Sequence, residues 1–564
     1  MNIFKLSFKI IIQIIFVIIF FSTSQAKNKD KFNEAGYISD YFSGILLLND
    51  NQYNESSKFL KKLNGLEDSH INYSINYLYS AINSGNFNEA LKYSKKLEKQ
   101  KLDSFESNLI IGVFHLKNSN LDLAKNYFFK AKNRNSRFIL NNYVSNSLYT
   151  WSNLKSLDIN RASLEIKKLD ERFDNLKRIQ NVLLNCYFKS LSTNILFEEL
   201  TSDKKTDFSR YKYFHASYAS SSGRINQAKD IVESALKLHP RNLLLNQYKI
   251  DFNETKNINP FNCQKESHVV AEILYITANA LSSQSIYSLS NLYLNLAKYL
   301  NKDFHSFDAL MAENFYKLDN FKKAKKIYKD LRKRGEAFNW YSTKQLSRIL
   351  IREEKKDQAI QLINNTYKEL KNQNIYETFD FANFLKNNEK FEDAIPYYTK
   401  IIKKLKKDHP LYAEATEGRG VSYERIKEWD KAEKDLLASL EANPNQAYVI
   451  NYLAYSWIEK GVKIEKSLNM LKKANKLRAN DPYIIDSLGW ALFKLKRYKE
   501  AKKNIQNAVR LMPGDPIVND HYGDVLWKNG NKIQARYYWN YVLKLKKTEN
   551  DLKKNIEKKL IKGL

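Results

Sequence analysis

The chain has 564 residues, with 93 Lys plus Arg against 62 Asp plus Glu, a net charge of +31. Its 43% hydrophobic content excludes a disordered chain, its 15 Gly and 8 Pro exclude a turn-rich all-β fold, and its mean hydropathy of −0.57 excludes a polytopic membrane protein. Two cysteines are too few for a disulfide-stapled scaffold or a Cys-rich zinc module, so a large, mostly helical chain remains.

Residues 1–26 read as a secretory signal. Lys5 and Lys9 precede an apolar run, Ile10–Phe21, broken only by Gln13, and Ser24-Gln25-Ala26 places cleavage after Ala26. A membrane-spanning helix needs about 20 apolar residues, so the run is short for a permanent anchor, which is the alternative. No Cys follows it, which excludes lipoprotein processing. The expectation is export to the periplasm, with 27–36 as a linker. In an oxidising compartment Cys186 and Cys263 could pair. The favoured reading is two small hydrophobes buried in helices.

From residue 37 the chain repeats with a period of about 34 residues. In 482–515 the small residues Gly489, Ala501 and Ala508 and the closing Pro513 mark the frame, with Leu488 and Tyr498 in the apolar places. The units 37–70, 71–104 and 105–138 run in unbroken register, carrying Gly44 and Ser56, then Ala90, then Gly112, Ala124 and Ala131. Region 139–208 has room for two more, of which only the first, around Ala162, is legible. Unit 209–242 closes an N-terminal array, and 243–270 breaks the register and reads as an irregular linker. Middle units follow over 271–373, then a C-terminal array over 375–549, in which 447–481 carries one extra residue. Each unit is predicted as two antiparallel helices. The small eighth and twentieth places let their axes approach closely. Asp481-Pro482 and Asp515-Pro516 sign helix starts. Residues 550–564 carry apolar positions 552, 556 and 560 and read as a capping helix.

This pattern resembles the tetratricopeptide repeat (TPR) family over roughly 37–549. The first aromatic of the family pattern is often replaced, as by Ile485 and Asn519. The stretches RGVSYERIKEWDKAEKDL, NYLAYSWIEKGVKIEKSL and YIIDSLGWALFKLKRYKEA further resemble an alphaproteobacterial family of exported TPR proteins. The resemblance implies an all-α, right-handed superhelical solenoid whose concave face is built from the first helix of each unit.

The groove places of the last three units hold Tyr448, Asn451, Tyr452 and Tyr455, then Tyr483, Asp486, Ser487, Trp490 and Phe493, then Asp520, His521, Asp524 and Trp527. Exposed aromatics interleaved with Asp and Asn suit a peptide groove, supplying flat apolar area and acceptors for backbone amides. The competing reading is that these aromatics pack between neighbouring units. His521 among Asp486, Asp520 and Asp524 is the only cluster with the look of catalysis or metal binding. It lacks a nucleophile, a second His and a Gly-rich phosphate loop, so no enzyme activity, metal or cofactor is expected. Lysines alternate with acids on nearly every helix, as in KKAKKIYKDLRKR, and read as solvated faces. Nucleic acid is not an expected partner, and contact with an anionic membrane surface is expected to be weak at most. The expected function is a non-enzymatic scaffold of the bacterial envelope binding a partner peptide or helix. Its rival is a membrane-associated assembly factor or regulator of an envelope polymer or outer-membrane machine, docked through the N-terminal units.

Overall fold

The computed structural model describes residues 34–134, 139–254 and 260–564. The expected signal, 1–26, and most of the 27–36 linker lie outside the described residues. Among the described residues are thirty α-helices and four short 3-10 turns, and no strand. They group into two compact units, one ending at Thr366 and one spanning Tyr367–Leu564.

The helices come in pairs, and the small residues explain their closeness. A Cβ added at Gly112 would stand 2.4 Å from the Phe128 ring, and one at Gly489 would stand 2.4 Å from Ile505. Ala90, Ala324, Ala432 and Ala501 are fully buried at the matching place of their second helices. A residue in the left-handed region follows most first helices, Ile139–Ser152 being an exception. It is Gly at 85, 223, 461 and 530, but Asn51, Ser119, Lys189, Ser285, Asp319, Glu354, Glu389, Lys427 and Lys496 elsewhere. The next N–H then bonds back to a carbonyl of the helix, as Asn120 N to His115 O and Asn531 N to Leu526 O, both at 2.9 Å. The chain therefore makes repeated hairpin turns with few glycines. Asp481 accepts from the Tyr483 and Ile484 amides, and Asp515 from those of Ile517 and Val518, capping the helices that the Asp-Pro pairs announce.

In the first unit, region 139–208 holds two helix pairs, Ile139–Ser152 with Ile159–Lys167 and Asp174–Tyr187 with Thr193–Thr201. The stretch 243–270, expected to be irregular, contains a helix at Leu243–Asn253 and the start of another at Glu266–Ser283. The pair Glu266–Ser283 and Tyr287–Leu300 packs against the first helices of four earlier repeats: Ile71–Asn83, Phe105–Lys117, Ile139–Ser152 and Asp174–Tyr187. Tyr299 stacks on Phe87 at 3.6 Å between ring centres, and the Lys117 ammonium donates to Leu300 O at 2.9 Å. The Ser288 hydroxyl donates to Asn51 at 2.7 Å, and the Tyr187 hydroxyl to Glu266 at 2.6 Å. The inner face of the N-terminal repeats is thus covered by a hairpin of the same chain.

The cysteines depart from the favoured expectation of two separate buried hydrophobes. Cys186 and Cys263 are joined by a disulfide with an S–S distance of 2.04 Å. Cys186 sits near the end of helix Asp174–Tyr187, and Cys263 lies in the non-helical stretch before Glu266. The bond ties the entry of the packed hairpin to the repeats that it covers.

The second unit stacks five pairs: Ile375–Asn387 with Phe391–Ile402, Pro410–Arg425 with Trp429–Ala442, Ala447–Glu459 with Ile464–Leu477, Pro482–Lys494 with Tyr498–Leu511, and Pro516–Lys528 with Lys532–Lys544. Helix Asn550–Lys562 closes the stack. It buries Ile556 fully and Leu552 and Leu560 in part.

Candidate functional site

The groove residues expected from the sequence all lie on the first helices of the last three pairs, but the structure uses most of them internally. Each first helix carries a donor that meets an acidic acceptor on the first helix before it. The Tyr452 hydroxyl donates to Glu424 at 2.6 Å, and the Trp490 indole N–H to Glu459 at 2.6 Å. His521 Nδ1 bonds both oxygens of Asp486, at 2.9 and 3.1 Å. The Lys559 ammonium of the closing helix then meets all four oxygens of Asp520 and Asp524 at 2.8–2.9 Å. The partners are 28 to 39 residues apart, about one repeat, so the contacts form a ladder across the stack.

Burial follows from this ladder. Asp486, Ser487, Trp490, Asp520, His521 and Asp524 are buried, so Trp490 is not the exposed aromatic that its place suggested. Its indole lies between Phe493, at 4.7 Å, and the His521 ring, at 3.9 Å and nearly parallel. Trp527 is half-buried against Trp539 and Arg536, and the backbone of Gly563 lies on its ring. Tyr455 is half-buried 6.4 Å from the His521 ring, and Asn451 is half-buried with its Oδ1 enclosed. Tyr448 and Tyr483 remain open, at 50% and 55% exposure, and Ile517 at the matching place of the last pair is 44% exposed. Tyr448 is steadied by Asp481, which accepts from its hydroxyl at 2.9 Å, and by Arg478 stacked 4.7 Å from its ring centre.

The buried charges shift one another. Burial works against a charged His521, but the Asp486, Asp520 and Asp524 carboxylates outweigh it and raise its pKa above the ordinary value. Burial and the neighbouring Asp520 carboxylate push Asp524 up to about 6, against the pull of Lys559. Burial and Glu424 raise the Tyr452 hydroxyl. Among the described residues no nucleophile bonds to the His521–Asp486 pair, whose side chains are each only 7% exposed, with the Trp490 indole stacked on the His521 ring. Among the described residues, no group of three or more His, Cys, Asp or Glu could hold a metal ion, and no helix is long and apolar enough to cross a membrane.

Lys559 is the site residue that sequence reasoning missed. Its position among seven lysines in 546–562 gave it the look of a solvated side chain. The one available signal was its spacing, 35 residues beyond Asp524, where a further first helix would present its partner.

Residues 296–548 match the Tetratricopeptide repeat family. A TPR repeat-containing protein of Pseudomonas aeruginosa is 26% identical over 177 residues, 31% of this chain and 29% of that protein, so the match spans under a third of that relative's length. Among solved structures, MamA of Desulfovibrio magneticus RS-1 is similar over 31% of this chain and 97% of its own, at 15% identity and a TM-score of 0.28. YrrB, described as a TPR protein with an unusual peptide-binding site, is similar over 35% of this chain and 97% of its own, at 18% identity and a TM-score of 0.28.

Proposed function

Because residues 296–548 match the Tetratricopeptide repeat family, we propose that this chain is a non-enzymatic scaffold of the bacterial cell envelope that binds an extended peptide or helix of another protein along the first-helix face of 375–549. Proteins of this kind are generally protein-interaction scaffolds. The observation that carries the reading is the row Tyr448, Tyr483 and Ile517, one large side chain per unit, left exposed while the deeper groove places pair with one another. Such a row offers apolar area at a regular pitch along the stack. The signal-like start and the Cys186–Cys263 bond support export to the periplasm, since disulfides persist in oxidising compartments.

The test is a photo-crosslinking amino acid placed at Tyr448 or Tyr483 in cells, with Leu437, exposed on a second helix, as the control. Discrete adducts at the two tyrosine places and none at Leu437 are expected. Adducts at none of the three, or equally at all, would refute this face as the binding site.

One observation favours the membrane-associated assembly factor as a second reading. The first described helix, Ala35–Asn49, exposes Ile38, Phe42 and Leu46 along one face. Docking through the inner face of the N-terminal repeats is disfavoured, because the chain's own hairpin covers it. Membrane fractionation separates the two readings. Salt-resistant association that is lost on replacing Ile38, Phe42 and Leu46 with Ser supports the assembly factor, and a fully soluble periplasmic protein supports the free scaffold.

A further inference from the structure

Away from the first-helix face, the second repeat encloses a cleft of about 490 Å³ between helices Tyr53–Lys61, Ile71–Asn83 and Phe87–Lys99. Five lysines line it: Lys61, Lys92, Lys95, Lys96 and Lys99. Two are neutralised locally. Lys61 pairs with Glu89 at 3.0 Å, and Lys96 pairs with the buried Glu67 while donating to Asn64 at 2.6 Å. Both carboxylates are also engaged by tyrosine hydroxyls of the cleft, Glu89 by Tyr77 at 2.7 Å and Glu67 by Tyr93 at 3.4 Å.

No carboxylate lies within ion-pair distance of Lys92, Lys95 or Lys99 among the described residues, so the cleft holds three surplus positive charges. They stand at successive turns of one helix and span about 10 Å along it. Elsewhere the chain's lysines are mostly interleaved with acids along the sequence. Here a concavity gathers them, so field lines from three cations converge on one solvent-filled volume.

We propose that this cleft binds a phosphate-bearing anion with two or more phosphates spaced along the Lys92–Lys95–Lys99 row. Three ammonium donors at that spacing suit a chain of phosphoryl oxygens better than a lone carboxylate. The chemistry is shared by free condensed phosphate and by phosphate-bearing lipid headgroups.

Calorimetric titration of the full chain with tripolyphosphate at about 150 mM salt tests it. Saturable binding near one equivalent is expected. It should weaken about tenfold in Lys92→Gln/Lys95→Gln/Lys99→Gln, and stay within about twofold in Lys322→Gln/Lys326→Gln/Lys329→Gln, which makes the same charge change on another second helix. Circular dichroism checks the fold. If the first variant loses helicity, Lys92→Arg/Lys95→Arg/Lys99→Arg must retain binding. Phosphatidylglycerol vesicles, set against phosphatidylcholine vesicles, identify the source. Vesicle binding that the cleft substitutions abolish assigns a lipid headgroup, and tripolyphosphate binding without vesicle binding assigns free phosphate. No saturable binding of either probe, or equal weakening in both glutamine variants, overturns the proposal.

Discussion

Replacing Lys559 by Met tests whether the closing helix is held by charge as well as by apolar contact. Methionine keeps the unbranched length and removes the ammonium. Lys559, Asp520 and Asp524 have side chains only 10%, 9% and 5% exposed, so water replaces little of what is lost. Asp520 then has no other close donor in the ladder, while Asp524 keeps the Trp539 indole N–H at 3.0 Å. Breaking a buried ion pair by removing one partner costs about 3–5 kcal/mol. The variant has one relief, protonation of Asp524, whose pKa is already near 6. Each pH unit below its pKa recovers about 1.4 kcal/mol of the cost of its stranded charge. The deficit should therefore be near its full size at pH 8 and smaller at pH 5.5. Adding Asp520→Asn and Asp524→Asn to Lys559→Met removes the stranded charges and should restore most of the loss, as expected of coupled neighbours. Urea unfolding followed by tryptophan fluorescence, which reports on Trp527 and Trp539, measures the difference. A Lys559→Met loss below about 1 kcal/mol, or a triple variant no more stable than the single one, would refute a charge-held cap.

Four further outcomes are expected. Gly523→Ala puts a Cβ 2.4 Å from the Trp539 indole nitrogen, so overpacking of about 1–3 kcal/mol should exceed the roughly 1 kcal/mol gain in helix propensity; Gly36→Ala, with no heavy atom within 4 Å, should gain. Lys427→Gly, at a left-handed helix end, should raise the unfolding midpoint by the equivalent of about 1 kcal/mol, and a drop would contradict the strain assigned there. His521 has a raised folded pKa, so its contribution is complete below the unfolded value near 6.5 and is lost as pH rises through the folded value; hydrogen exchange of helix Pro516–Lys528 should quicken from pH 6 to 9 beyond the intrinsic rate, and His521→Gln should flatten that trend. Cys186→Ser opens a link between residues 77 apart, and on the chain-entropy account the loss of about 4–5 kcal/mol should appear in thermal unfolding of non-reduced protein and vanish under reductant.

What was legible in the sequence is what repeats locally. The spacing of Gly112, Gly489 and Ala501 announced the helix pairs because a small residue is required wherever two axes nearly touch, and Asp481-Pro482 announced a start because its side chain and ring act within one turn. The pair Asp174–Tyr187 and Thr193–Thr201 was harder to see, since neither helix carries a Gly or Ala to mark the frame. The hairpin 266–300 gave no sign of its destination. Ser288 meets Asn51 across 237 residues, and such a contact leaves no periodic trace. The Cys186–Cys263 bond was undecided for the same reason, as a spacing of 77 residues carries no geometry until the chain folds back. At the candidate site the residue types were plain in the sequence, but their employment was not. Trp490, Asp486 and His521 have the chemistry of a groove, and that same chemistry serves a ladder when the next helix supplies the complement.

The two covered surfaces narrow where a partner can bind. In the first unit, Val269, Val270, Ala271, Ile273, Leu274 and Ala278 of the packed hairpin are fully buried. Burying one large aliphatic side chain is worth about 1.5–3 kcal/mol. Exposing the four larger ones together would cost on the order of 6–12 kcal/mol, comparable with the whole affinity of a micromolar to nanomolar ligand. A partner peptide does not displace this hairpin, so the hairpin is core. In the last three pairs of the second unit the groove floor is also spoken for, by hydrogen bonds from each first helix to the one before it. Those contacts set the approach of successive units, and their loss would alter the spacing of the rim residues above them. Binding through Tyr448, Tyr483 and Ile517 then draws on side chains about half exposed before any partner arrives, each adding modest apolar area. Affinity must come from engaging several units at once, and that requires an extended segment long enough to cross at least three repeats. A short peptide reaching one rim residue should bind weakly however well it fits, and lengthening it by one repeat at a time should raise affinity in steps.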